Sequence, residues 1–197
     1  MKILNCLAVL FWSLNSIVWA SEDIKDKYPH SELYNKPVEV IPNVFSAIGA
    51  TAPPTYENSG HNNNLSFVIT SEGVVVINSG ASVRLASALH EEIKTITDQP
   101  VKLVVNENGQ GHAILGHLYW SKQGVDILAH EDAIHEIKEN SHSILERMKS
   151  YNRDKAAGTE VVIPNKSFSE KFIFTLGDLE FHVLHLGPAH GPGDTQV

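Results

Sequence analysis

Cysteine is almost missing from this chain. Among 197 residues there is only Cys6, and it lies in a stretch with the marks of an export leader. Lys2 supplies a short positive start, Ile3 to Val18 is mostly apolar, and Val18, Trp19 and Ala20 offer a small-residue cleavage site before Ser21. Asn5, Ser13, Asn15 and Ser16 interrupt the apolar run, which falls short of the ~20 residues a membrane span needs. Cys6 is too near the start to be a lipid-attachment site. Residues 1–20 are therefore expected to be a signal peptide, and the protein to be periplasmic or secreted. Once cleaved, the chain has no cysteine. That excludes a disulfide framework, a thiolate ligand and a cysteine nucleophile, and leaves stability to a packed core or a bound metal.

Other absences narrow the class further. No basic run stands out, and 23 acidic residues outweigh 15 Lys and Arg for a formal charge of -8. Nucleic acid is an unsuitable partner for such a surface. No second apolar stretch approaches a membrane span, so no membrane contact is expected after leader cleavage. There is no internal repeat and no low-complexity tract. What remains is the composition of one globular domain, with a small molecule as the expected partner.

The elements follow from hydrophobic spacing. Residues 21–37 are polar and charged and read as a loose N-terminal arm, with the domain proper at 38–197. Val38 to Ile48 alternates around Pro42 and reads as an edge strand. Residues 52–64 are a loop by composition. Leu65 to Ile77 is a hairpin turning at Glu72-Gly73. Ser82 to Thr97 has helical spacing. Val101 to Val105 and Val125 to Ala129 are short buried strands, separated by a short helix at Ala113 to Ser121. Glu131 to Tyr151 is a long helix, and Phe168 to Leu176 with Leu179 to Leu186 form a second hairpin. Thr195 to Val197 looks like the start of another strand. Strands alternating with helices predict an α/β domain in which helices cover a sheet.

Two loops carry the candidate chemistry. NENGQGHAILGH follows the strand at Val101 to Val105, and GPAHGPGD follows the last hairpin. Loops after strands suit metal ligands, because the rigid sheet fixes the backbone and the loop aims the side chains. His190 stands in a Gly/Pro-rich turn, as a metal ligand or as a turn residue capping carbonyls. His112 is a ligand candidate, or a hydrogen-bonded loop residue. His117 could reach the site from the short helix, but an exposed face is the expected place. His182 and His185, three apart on a strand, point to opposite faces. His130 and His135 occur in HEDAIH, a spacing of five, so they do not share a helix face and are not a zincin motif. Tyr119-Trp120 is expected to fill the core.

In their order, NLSFVITSEGVVVINSG, LVVNENGQGHAILGH, VDILAHEDA and LHLGPAHGPGDTQV resemble the landmarks of the metallo-β-lactamase superfamily. The resemblance covers about Val38 to Val197. It implies an αββα four-layer sandwich and a hydrolase in which a metal-activated water attacks an ester, thioester, lactone or lactam carbonyl. The cofactor implied is zinc, one or two ions, or another divalent metal. His190 falls on the ligand of the family's third metal loop, and Asn78 sits where Asp is commonest.

The family's HxHxDH motif is broken. Aligned without gaps, its first His falls on Asn108, its second on Gln110, its Asp on His112 and its last His on Ala113. A shift by one places His112 on the last His instead. Amide oxygens are weak zinc ligands, so Asn108 and Gln110 are read as loop-shaping or substrate-contacting groups. Asp194 is read as an acceptor that fixes the tautomer of a nearby His. His112 and His190 are the ligands left. The family's further Asp and His come from later loops, so the chain is expected to be the N-terminal part of a longer protein, with its second sheet incomplete and an apolar sheet face exposed. The alternative is a non-catalytic relative that has lost its metal and serves as a binding module.

Overall fold

The computed structural model describes residues 28–197. The leader expected at residues 1–20 lies outside the described residues. In chain order the strands and helices are β1 (Val38–Ile41), β2 (Val44–Ala47), β3 (Leu65–Ile69), β4 (Val74–Ile77), α1 (Val83–Ile96), β5 (Val101–Val105), α2 (Gly111–Ile114), α3 (His117–Lys122), β6 (Asp126–His130), α4 (Glu131–Asn152), β7 (Lys166–Phe168), β8 (Lys171–Leu176) and β9 (Leu179–Leu184). β1 to β7 lie side by side in one sheet in sequence order, and β8 with β9 form a second. The first four strands are antiparallel neighbours; β4, β5, β6 and β7 are parallel.

Side-chain alternation builds two cores on the main sheet. Val74 and Val76 join Leu65, Phe67, Val104 and Ile127 on the face covered by Leu85, Leu89 and Ile93 of α1 and by Trp120 of α3. Val75, Val68, Leu103, Val105, Leu128 and Phe168 face the other way and pack on Phe181 and Val183 of β9. The inner strands are buried on both sides, which is why they read as unbroken apolar runs. A third cluster joins α2 to α4 through Ala113, Ile114, Leu115, Ile137 and Met148. Helix, large sheet and small sheet are thus three layers of an α/β sandwich with a small second sheet. Among the described residues, none of the helices covers the outer face of β8 and β9.

Several expectations are corrected. The segment at 38–48 is two strands, because Pro42 is followed by Asn43 at φ 66° and the chain reverses there. Of these two strands only β1 lies at an edge of the sheet, and its side chains are exposed. The helix expected at 113–121 is α2 and α3, broken at Leu115-Gly116. Phe168 ends β7 in the main sheet and does not begin the second hairpin. The described part of the N-terminal arm is not loose: Leu33 and Tyr34 are buried, and the Tyr34 N–H donates to His61 Nδ1 at 2.9 Å. The small sheet turns its apolar side, Phe172, Phe174, Phe181 and Val183, onto the main sheet. Its outer side carries Lys171, Thr175, Glu180 and His182, with Ile173 as the exposed apolar residue, so the exposed apolar face does not occur. Gln196 pairs antiparallel with Leu184, extending that sheet by one bridge. No helix among the described residues is long and apolar enough to cross a membrane.

Candidate metal and substrate cleft

The loop after β4 and the loop after β5 are stitched together before either reaches a cleft. Asn78, at φ 67°, donates from Nδ2 to Glu107 Oε2 at 2.9 Å, and its Oδ1 accepts the Glu107 N–H at 3.0 Å. Ser79 donates to the Ala113 carbonyl through both Oγ, at 2.6 Å, and its backbone N–H, at 2.8 Å. Asn108 is buried, and its Oδ1 accepts the Gln110 N–H at 3.0 Å. Asn78 and Asn108 therefore spend their side chains on loop shape. Gln110 and His112 emerge beyond them, at the start of α2, onto an open cleft of about 840 Å³.

The cleft has three other walls. Pro54 and Asn62 come from the long loop before β3, and His190 comes from the loop after β9. The remaining wall is one stripe of α4, made of Glu136, Asn140, Ser143, Ile144, Arg147 and Tyr151, whose spacing follows the helical turn. Asp194 shapes the His190 loop. Its carboxylate accepts the backbone N–H of His190 and that of Gly191, the latter at 3.0 Å. The carboxylate thus acts on the main chain, and the imidazole that Asp194 does hold is reached through its backbone. Its carbonyl accepts the His185 Nδ1–H at 2.9 Å.

Electrostatics set the protonation of the cleft. Burial holds the His112 imidazole below its ordinary value; Glu107 opposes this, and His190 and Arg147 add to it. His112 is therefore neutral near pH 7, with a lone pair to offer. Burial pushes the Tyr151 hydroxyl up to about 12, so it stays a donor. Burial and the charge of Asp194 raise the Glu136 carboxyl, whose Oε2 is out of water without a hydrogen-bond partner.

His117 is not exposed. It is fully buried, with Nδ1 donating to the Val162 carbonyl at 2.7 Å and Nε2 accepting from Asn106 Nδ2 at 2.6 Å. His135 is an exposed partner of Glu139, while His130 caps α4. Trp120 is buried as expected.

No protein-family model matches the chain, and no curated protein matches it. Solved structures do match. A metallo-beta-lactamase from Pontibacter korlensis superposes with a TM-score of 0.61 at 21% identity, covering 81% of this chain and 64% of that one. The fold is that of the metallo-β-lactamases. BJP-1, a subclass B3 metallo-beta-lactamase of Bradyrhizobium japonicum, and FEZ-1 of Legionella gormanii each give a TM-score of 0.58 at 16% identity, covering 81% of this chain and 55% of theirs. The chain thus spans between half and two thirds of the length of these three structures.

On the metallo-β-lactamase fold the question is whether these residues suit a metal. In donor type they do, because neutral imidazole is a good zinc ligand. In number the set is incomplete, since a catalytic zinc usually holds three protein ligands and a water. Among the described residues no third donor converges on His112 and His190. The group of three whose donor atoms lie within 4.8 Å of one another is His130, Asp132 and His185, away from the cleft lining. Glu136, Arg147 and Tyr151 were missed from sequence, although their helical spacing was a signal available there.

Proposed function

We propose that the protein is an exported, metal-dependent hydrolase acting on the carbonyl of a small ester, thioester, lactone or lactam at this cleft. The observation that carries the reading is the meeting of His112 and His190, from loops after β5 and β9, on one polar-walled cleft. These two would hold the ion, zinc or another divalent metal. When bound, the ion would supply an activated water and polarise the carbonyl. The chain's own residues do the rest. The neutral His112 offers its lone pair, and Asp194 holds the backbone that carries His190. Tyr151 and Arg147 present donors on the α4 wall to an anionic or carbonyl group. The leader-like residues 1–20 support export.

The test is metal content and turnover of the full chain. Elemental analysis should find zinc or a related metal at one or two equivalents, and a panel of the four ester-like classes should show hydrolysis. His112→Ala and His190→Ala should each lower turnover at least a hundredfold, in line with losing a ligand or its orientation. Protein that takes up no metal when zinc is supplied, and then hydrolyses none of the panel, would sink the reading.

A second reading is a binding module that has lost its metal. The paired loss of both motif histidines, at Asn108 and Gln110, favours it, and the Asn108 side chain serves the shape of its own loop. Ligand binding to the cleft without metal and without turnover would select it.

A further inference from the structure

A second cluster of donors lies at the seam between the two sheets. His130 ends β6 and caps α4; Asp132 is in the first turn of α4; His185 follows β9. One donor atom from each lies within 4.8 Å of the other two, and His130 Nδ1 is 3.7 Å from Asp132 Oδ2. Both rings have their tautomers fixed from behind. His130 Nε2–H donates to the Ser169 carbonyl at 2.5 Å, and His185 Nδ1–H donates to the Asp194 carbonyl at 2.9 Å. A backbone carbonyl on one ring nitrogen, leaving a lone pair on the other, is the arrangement that orients metal-ligating histidines. Two imidazoles and a carboxylate are also a ligand set that zinc accepts.

We infer that His130, Asp132 and His185 form a structural divalent-metal site that clamps the small sheet to the main sheet and to α4. The inference stands apart from the hydrolase reading, because none of the three residues lines the cleft. The rings are stacked, with centroids 3.9 Å apart at 22°. One ion cannot lie in two nearly parallel ring planes, so the His185 ring must turn out of the stack on binding. His185 is only half-buried at the end of β9, which leaves it room, while His130 is held between Ser169 and Phe168. His130 Nδ1 also accepts the Asp132 N–H at 3.1 Å, a cap bond that the ion would replace. The clamp holds the start of the loop that carries His190, and it does for the two layers what a disulfide does elsewhere, in a chain whose only cysteine is Cys6.

The test uses the full chain carrying His112→Ala and His190→Ala, stripped with chelator and titrated with Co²⁺ alone and Zn²⁺ alone. One equivalent should bind, with cobalt absorption of a mixed nitrogen and oxygen site. The melting temperature should rise by about 5 °C at a metal concentration a hundredfold above Kd. Adding Asp132→Asn or His185→Ala should weaken binding at least tenfold and remove the rise. Asp132 is exposed, so its variant keeps the fold, as near-UV circular dichroism will show. Unchanged binding in both variants overturns the inference, as does no binding in the double variant. If the double variant fails to fold, the unmutated chain decides: Asp132→Asn must lower its metal content by one equivalent, and an unaltered content overturns the site.

Discussion

Glu136 shows how one buried oxygen ties protonation to stability. Its Oε2 has no partner, and Asp194, which also has an unpartnered oxygen, raises its affinity for a proton. A carboxyl that is harder to ionise in the folded state favours folding fully below its ordinary value and loses that contribution as pH rises through the folded one. Glu136→Gln removes the burden of a buried charge while keeping the shape. The variant should melt higher at pH 7 by on the order of 2 °C, with the difference closing near pH 4. Melting curves across that range will check it; a gain independent of pH would show that packing and not charge is responsible. Single residues were the least legible level of this sequence. His112 and His190 could be named from their loops. The Asn106–His117–Val162 chain could not, because the carbonyl that fixes His117 lies 45 positions away. Glu136 and Arg147 do not stand out in the sequence, because the apolar period of α4 marks its packed side and not the side that lines the cleft.

At the scale of elements, Gly116 sets the angle between α2 and α3. A Cβ there would stand 2.0 Å from the Ser79 carbonyl oxygen and 2.8 Å from the Ala86 Cβ. The Gly116 N–H donates to the Gly80 carbonyl at 2.9 Å, so the backbones cannot separate without losing that bond. Gly116→Ala should destabilise by about 3 kcal/mol or more, through overpacking against main chain. A urea melt within 1 kcal/mol of the parent would refute the close approach. The same residue explains a sequence-level error. Ala113 to Ser121 has helical composition throughout, and nothing local says that Gly116 must meet the loop after β4. Long periodic or unbroken apolar stretches were easier. α1, α4, β5 and β6 were readable to within a residue or two, since burial on one or both faces dictates their pattern. The turn at Pro42-Asn43 was not, although Pro followed by Asn suits a tight turn, because the apolar residues run across it from Val38 to Ile48 without a break.

The whole molecule depends on two buried histidines staying neutral. His61 holds the N-terminal segment through Tyr34, and His117 holds α3 to the segment before β7. Burial depresses both to about 4 from an ordinary 6.5. The unfolded chain therefore takes up two protons that the folded chain refuses. Their contribution is full above about pH 6.5, falls as pH drops through that value, and is gone below about 4. Stability should fall by up to about 2.7 kcal/mol per pH unit between these limits. Urea melts at pH 7.5, 6, 5 and 4.5 measure this directly; a flat profile would refute it. At this scale the sequence was most legible, since alternating strands and helices already implied the layers. The packing of the small sheet was not, because a hairpin's alternation shows which side is apolar but not what lies opposite.

The sheet changes character at β4, and that gives its assembly a direction in time. Pairing among β1 to β4 joins neighbours along the chain, across a tight turn at Pro42-Asn43, a longer loop before β3 and a tight turn before β4. Each parallel pair from β4 onward must first close a loop that contains one or two helices. Loop closure has to be met before such contacts return anything, so the antiparallel half can zip early while the parallel half waits. During that interval the backbone N–H and C=O groups of β4 are open on the side that β5 will occupy. In that order of assembly, the last strand edge of the antiparallel half to be covered is one that lies in the middle of the finished sheet.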